Sequence, residues 1–209
     1  MDDTIQKRQH MIEYQIKARG IFDETILKAM MNVPRHKFVP AEIQNLAYED
    51  CALRVSHGQT ISQPYIVALM TMMISPDNTM KVLEVGTGTG YQTAILGEIC
   101  KEVVTIERIE ALHLSAKQRL EEMGYDNITC ILGDGYKGYA PGAPYDAILV
   151  AACPLEIPSV LIEQLAPGGR MAIPVGAGSQ YLLLVTKDLN GEITIEKKTE
   201  VRFVSMIHD

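Results

Sequence analysis

A chain of 209 residues that is 47% hydrophobic and 22% charged has the size and composition of one globular domain, long enough to bury about 70% of its unfolded surface without disulfides or metal. Its 19 Lys and Arg against 26 Asp and Glu give a formal charge of −7. That balance leaves no broad basic face for counterion release and argues against nucleic acid as a partner.

From Thr4 to about Arg19, Ile5, Ile12 and Ile16 fall near one helical face, and Gly20 is a natural stop. Asp23 is placed to cap a second helix carrying Ile26, Leu27 and Met30. The Val33-Pro34 step ends it, because the residue before proline avoids helical backbone. A short third helix is expected after Val39-Pro40, and residues 48–62 read as irregular with a short strand at most. Pro64 then fits the first turn of a helix whose Ile66, Leu69, Met70 and Met73 follow i, i+3, i+4, i+7 spacing, with packing as the simplest role for its methionines.

Beyond the turn Ser75-Pro76-Asp77-Asn78 the pattern changes. Short apolar runs at 81–85, 103–107, 128–132, 147–151 and 170–175 alternate with helical stretches at 91–100, 109–123 and 159–165. Such alternation predicts an α/β fold: a doubly wound, mostly parallel, Rossmann-like sheet with right-handed crossovers. Runs at 181–187 and 193–204 flank Asn190-Gly191, a two-residue hairpin signal, so the sheet is expected to finish antiparallel. The organisation is therefore an N-terminal helical and cleft region (1–78) packed on a core (79–209), as a single structural domain. Cys51, Cys100, Cys130 and Cys153 form no CxxC pair, and the five histidines show no ligand spacing, so no metal is expected. No apolar run reaches the roughly 18–20 residues of a membrane span and the start lacks signal-peptide order, which leads us to expect a cytoplasmic protein with no membrane partner.

The most informative stretch is Val82-Leu83-Glu84-Val85-Gly86-Thr87-Gly88-Thr89-Gly90, a buried strand running into a glycine-rich turn ahead of a helix. Such a turn lets backbone approach a ligand at the carboxyl end of a strand. A dinucleotide fingerprint would need glycine at 91, where this chain has Tyr91. The spacing resembles S-adenosylmethionine-dependent methyltransferases instead; a purely structural turn is the alternative. Glu107 ends the second predicted strand, where its two oxygens match the vicinal hydroxyls of a ribose, unless it is a solvated strand-end charge. Gly133-Asp134-Gly135 follows the third strand, and an aspartate there could accept from an adenine amino group or simply shape a turn. Gly58-Gln59-Thr60-Ile61-Ser62-Gln63-Pro64 offers hydroxyls and backbone donors just before a helix N-terminus. Ser62 is also positioned as that helix's N-cap.

Taken together, the segments 33–40 (VPRHKFVP), 47–50 (AYED), 58–64, 83–90, 105–109 (TIERI), 133–135, 143–148 (APYDAI) and 173–176 (IPVG) resemble the protein-L-isoaspartate (D-aspartate) O-methyltransferase family from about residue 8 to 206. The resemblance implies methyl transfer from S-adenosyl-L-methionine to the free carboxylate of isoaspartyl residues in damaged proteins and peptides, by a monomer. It places the cofactor against Glu84, Gly86, Thr87, Gly88, Gly90, Glu107, Arg108, Asp134 and Gly135, with Gln59, Thr60, Ile61 and Ser62 closing over the methyl donor. Ser62 aligns with the family's active-site serine. The chain departs from the family pattern at 53–58, at Ala151-Ala152-Cys153-Pro154 and at Ser205, all bordering the expected substrate cleft.

An isoaspartyl carboxylate with a pKa of about 4 is ionised at neutral pH, so the reaction needs no general base, and orientation in a water-poor cleft is the main task. Three alternatives stand beside this one: a methyltransferase with another small-molecule or peptide acceptor, a nucleic-acid amino-methyltransferase, and a catalytically silent S-adenosylmethionine-binding module. The nucleic-acid option is disfavoured by the net charge and by the lack of an Asn/Asp-Pro-Pro-Tyr element after the fourth strand.

Overall fold

Near-continuous apolar runs in the central strands, buried on both faces, decide the architecture of the computed structural model, which describes residues 3–208. Residues 1, 2 and 209, included in the two expected segments, lie outside the described residues. Five strands, β3 (Lys81–Val85), β4 (Glu102–Glu107), β5 (Ile128–Leu132), β6 (Tyr145–Val150) and β7 (Leu165–Val175), are parallel. The antiparallel strands β8 (Gln180–Lys187) and β9 (Ile193–Val201) complete one seven-stranded sheet in the order β5-β4-β3-β6-β7-β8-β9. The chain leaves β3 outward to β4 and β5, then returns to β6 on β3's other side. The carboxyl ends of β3 and β6 are thus the switch point at which an open sheet leaves a crevice.

Successive residues of β3 serve opposite faces. Val82 packs with Ala147 and Leu149 of β6 under helices α3 (Pro64–Ile74) and α4 (Tyr91–Ile99). Leu83 and Val85 pack with Ile148, Val150 and, from α6 (Ser159–Gln164), Leu161. The helix α5 (Glu110–Glu122) buries Leu112, Ala116 and Leu120. Met30 of α2 (Glu24–Asn32), Phe38 and Met70 join the same cluster as Val82, so the N-terminal region and the sheet share one core.

Local chemistry explains most boundaries. Asp23 caps α2 by accepting from the N–H groups of Thr25 and Ile26, and Val33 leaves helical geometry ahead of Pro34. The single helix expected over 4–19 is α-helical only in α1 (Asp3–Met11). It widens to a π turn at Ile12–Ile16 and tightens to a 3₁₀ turn at Lys17–Arg19 before Gly20, at φ +87°, ends it. The short third helix is a 3₁₀ segment, Ala41–Leu46. Residues 48–62 hold a minimal hairpin, β1 (Leu53–Arg54) with β2 (Thr60–Ile61).

The β8–β9 connection is longer than the expected two-residue turn. The Asp188 carboxylate accepts from the N–H groups of Asn190 and Glu192, closing a loop over 188–192 with Gly191 at φ +89°. The last strand also ends at Val201 rather than 204. Residues beyond it run back across the carboxyl edge of the sheet, where the Cys153 N–H donates to Val204 O and the Met206 N–H to Cys153 O, both at 2.8 Å. Among the described residues no helix is long and apolar enough to cross a membrane.

Candidate functional site

A cleft of about 910 Å³, counting its solvent mouth, opens at the switch point. Its floor is the glycine-rich turn. The N–H groups of Gly86 and Thr87 both donate to Ile106 O, at 2.8 and 3.2 Å, folding the turn back over β4. Gly86 sits at φ +97°, and a side chain there would also meet Ala151 at 3.5 Å. Gly86, Thr87 and Gly88 line the cleft, whereas Gly90 does not. Gly90 starts α4 at φ +88°, and a Cβ on it would touch Ala116 and Leu120. Those are ordinary contacts, so what requires glycine here is the left-handed backbone that leads into α4.

Glu107 lines the cleft from the end of β4 and is nearly buried. One oxygen accepts from the Gly88 N–H at 2.8 Å, the other from the Ile109 N–H at 2.9 Å. These bonds fix the carboxylate, and its remaining lone pairs can take a vicinal diol. Arg108 is exposed on the same rim.

Glu84, one strand over, is not on the cleft surface. Its side chain is wholly buried between β3 and α4, accepting from Thr93 Oγ1 at 2.5 Å and Thr105 Oγ1 at 2.6 Å, while Oε1 has no partner. Burial, offset in part by the two threonine hydroxyls, pushes its pKa up to about 7. Thr105 also lies 2.6 Å from the hydroxyl of Thr87. With Glu84 ionised, Thr105 spends its single proton on that carboxylate, so Thr87 donates to Thr105 and keeps its lone pairs for the cleft. Glu84 therefore reaches the cleft through two hydroxyls.

The turn after β5 behaves similarly. Asp134 is buried but does not line the cleft: Oδ1 accepts from the Tyr136 N–H, and Oδ2 lies 3.6 Å from His208 Nδ1 and 3.9 Å from Lys137 Nζ. Gly135 lines the cleft instead, and a Cβ there would fall 2.4 Å from Val85 Cγ1.

Gln59, Thr60, Ile61 and Ser62 form the front wall. Ser62 is not the N-cap of α3. Pro64 occupies the first helical position, so Gln63 is the capping residue, and its amide turns away to Asp50. The Ser62 carbonyl accepts from Arg35 Nη2 at 2.7 Å, and the segment is thereby tied to the helical region behind it. His57 and Cys153 do not line the cleft, whereas Ala151, Ala152 and Ser205 do.

Sequence reasoning missed two parts of the wall. Tyr91 and Gln92 of α4 face the cleft, and the tyrosine standing where a dinucleotide fold has glycine was the available signal. Met206 and Ile207 face it too, beyond Ser205, which the family resemblance had already set at the cleft border, and nothing local in the sequence indicates that. They are held by the Cys153 ladder, by Tyr136 Oη to Met206 O at 3.4 Å, and by His208 stacked on Tyr136 at 3.6 Å. Among the described residues no group of three His, Cys, Asp or Glu could hold a metal ion.

Residues 6–209 match the family model described as protein-L-isoaspartate(D-aspartate) O-methyltransferase (PCMT). The chain is 50% identical over 205 residues to a protein-L-isoaspartate O-methyltransferase of Picosynechococcus sp., covering 98% of this chain and 92% of that one. It is 49% identical over 200 residues to one of Opitutus terrae, covering 95% and 85%. A solved protein-L-isoaspartate O-methyltransferase superposes with TM-score 0.86 at 30% identity, over 95% of this chain and 65% of that chain. A Plasmodium falciparum structure described as a beta-aspartate methyltransferase (PCMT) in complex with S-adenosyl-L-homocysteine superposes with TM-score 0.84 at 25% identity, over the whole of both chains.

Proposed function

The chain belongs to the protein-L-isoaspartate(D-aspartate) O-methyltransferase family, and from that membership we propose how its cleft is used. The reaction is methyl transfer from S-adenosyl-L-methionine to the free carboxylate of L-isoaspartyl residues in proteins and peptides. When bound, the cofactor supplies a methyl group activated by a sulfonium. The single observation that carries our assignment of roles is Glu107: a carboxylate locked by two backbone N–H groups, with lone pairs left over beside a glycine-rich floor, fits a ribose diol.

In this reading Glu107 holds the ribose, Gly86 to Gly88 and Gly135 let backbone approach the cofactor, Thr87 accepts from it, and Arg108 forms the rim. Glu84 acts from behind Thr87, Gly90 seats the floor, and Asp134 shapes the turn that presents Gly135. Gln59 to Ser62 and Val204 to Ile207 keep water from the reacting centre, where desolvation favours an anion and a cation that neutralise each other. Ser62 is the catalytic residue, orienting the acceptor carboxylate with its hydroxyl. No residue need take a proton, since the acceptor is already ionised at neutral pH. The proposal includes a monomer, and it places the protein in the reducing cytoplasm, the compartment that suits its four free cysteines.

The test is transfer of labelled methyl to two peptides that differ only in one isoaspartyl or normal aspartyl linkage, with a D-aspartyl member added. Label on the isoaspartyl peptide and not on the aspartyl one is the expected result. Cofactor binding without label on any peptide would reject the acceptor and favour a silent binding module. Ser62→Ala should lower turnover by roughly 10- to 100-fold with cofactor affinity unchanged; wild-type turnover would remove Ser62 from the mechanism.

A further inference from the structure

Arg35 is wholly buried, and none of its hydrogen bonds goes to a carboxylate. It sits in the 3₁₀ turn Arg35–Phe38 that follows Val33-Pro34. Its Nε donates to Ala47 O and its Nη2 to Ser62 O, each at 2.7 Å, and the guanidinium lies over the Tyr91 ring, 4.8 Å from its centroid. Nη1 and the buried hydroxyl of Tyr91 make no well-formed hydrogen bond, and the guanidinium and the phenol interact chiefly with each other. Burial pulls the guanidinium pKa down and, with Arg35 offsetting part of the effect, pushes the Tyr91 phenol up to about 12.

An arginine stays charged even here, and an unpaired buried charge is costly where a methionine of similar length would pack without penalty. Core packing alone therefore does not explain it. What the guanidinium touches does: its planar fork spans the start of the loop at Ala47, the cleft wall at Ser62 and the first residue of α4 at Tyr91, the last two of which line the cleft. A single ammonium lacks that fork and cannot satisfy two carbonyls and a ring face with the same geometry.

The bond to Ser62 O also fixes one peptide plane. In a trans peptide the N–H points opposite to the C=O. With the Ser62 carbonyl turned inward to Arg35, the Gln63 N–H is directed away from it, and the wall has one orientation rather than two. We propose that Arg35 is a positioning residue for the acceptor half of the site: it holds the Ser62–Gln63 peptide in its working orientation and places a fixed positive charge behind the wall that receives an anionic carboxylate. This inference rests on the reading that Ser62 meets the acceptor.

The experiment is a double-mutant cycle of Arg35→Lys with Ser62→Ala, reading kcat and KM for the isoaspartyl peptide, cofactor affinity by calorimetry, and Tm. Arg35→Met is added as the charge-removing variant, with Arg35→Lys carrying the test if the Met variant does not fold. Arg35→Lys should lower kcat about tenfold and leave cofactor affinity within about twofold. Arg35→Met should in addition raise the peptide KM about tenfold or more. Placed on Ser62→Ala, Arg35→Lys should cost less kcat than it does on the wild type, because a Ser62–Gln63 peptide that is no longer held also misplaces the hydroxyl that Ser62→Ala has already removed. A folded Arg35→Lys enzyme with wild-type kcat, a fully additive cycle, or equal losses in cofactor and peptide binding would each overturn the proposal. Wild-type turnover in Ser62→Ala would instead reject the reading beneath it.

Discussion

Glu84 titrates where no solvent reaches it. Its carboxylate has an ordinary pKa of 4.5 in the unfolded chain and about 7 in the folded one, because burial disfavours the charged form more than the two threonine hydroxyls favour it. Between those values the folded state binds the extra proton, so stability is full below about pH 4.5 and falls as pH rises towards 7. The shift corresponds to a loss on the order of 3 kcal/mol at high pH. Glu84→Gln removes the titration while keeping an acceptor for Thr93 or Thr105. Urea unfolding at pH 5 and pH 8 should show the variant gaining on the wild type by about that amount at the higher pH. An equal difference at both pH values would mean that Glu84 does not titrate in this range.

Elements differ in how plainly their sequence announces them. Asp23 capping α2, Pro64 opening α3 and the five parallel strands are legible because each follows from local geometry or from a short continuous apolar run between helical stretches. The π and 3₁₀ turns between Ile12 and Arg19 are not, since Ile12 and Ile16 would share a face in an ordinary helix as well. The five-residue loop at 188–192 escaped because a side-chain carboxylate outcompetes the expected Asn-Gly turn. Two substitutions test the elements. Asp23→Ala should cost about 1 kcal/mol by urea unfolding and leave methyl transfer unchanged. Gly135→Ala places a methyl 2.4 Å from Val85 Cγ1 in the central strand, so the turn must withdraw, and cofactor affinity by calorimetry should fall about tenfold with the fold retained. Wild-type affinity would mean that the turn gives way without cost.

At the scale of the molecule, the structure brings the glycine-rich turn, Glu107 and the Ser62 segment to one cleft as the sequence leads one to expect, whereas the side chains of Glu84 and Asp134 lie one layer behind its surface. Both sit at strand ends that point to the cleft in sequence, yet hydroxyls and a turn N–H had already claimed them. The shared core has its own consequence. Met30, Phe38 and Met70 pack in one cluster with Val82, Ala94 and Leu149, so the chain should unfold in a single calorimetric transition, and a fragment of residues 79–209 should not fold alone. Two separate transitions would instead make residues 1–78 an independent unit.

The strip from Val204 to Ile207 bears on biosynthesis. It closes a cleft whose front wall is made by Gln59 to Ser62, near the other side of the sequence. During translation the glycine-rich turn and the Ser62 segment emerge early and can pack as soon as β6 is present. A nascent chain halted before Val204 then carries nearly every residue of the site but an open wall. Competence for methyl transfer should therefore arrive only after the β8–β9 hairpin and Val204 to Ile207 have cleared the ribosome.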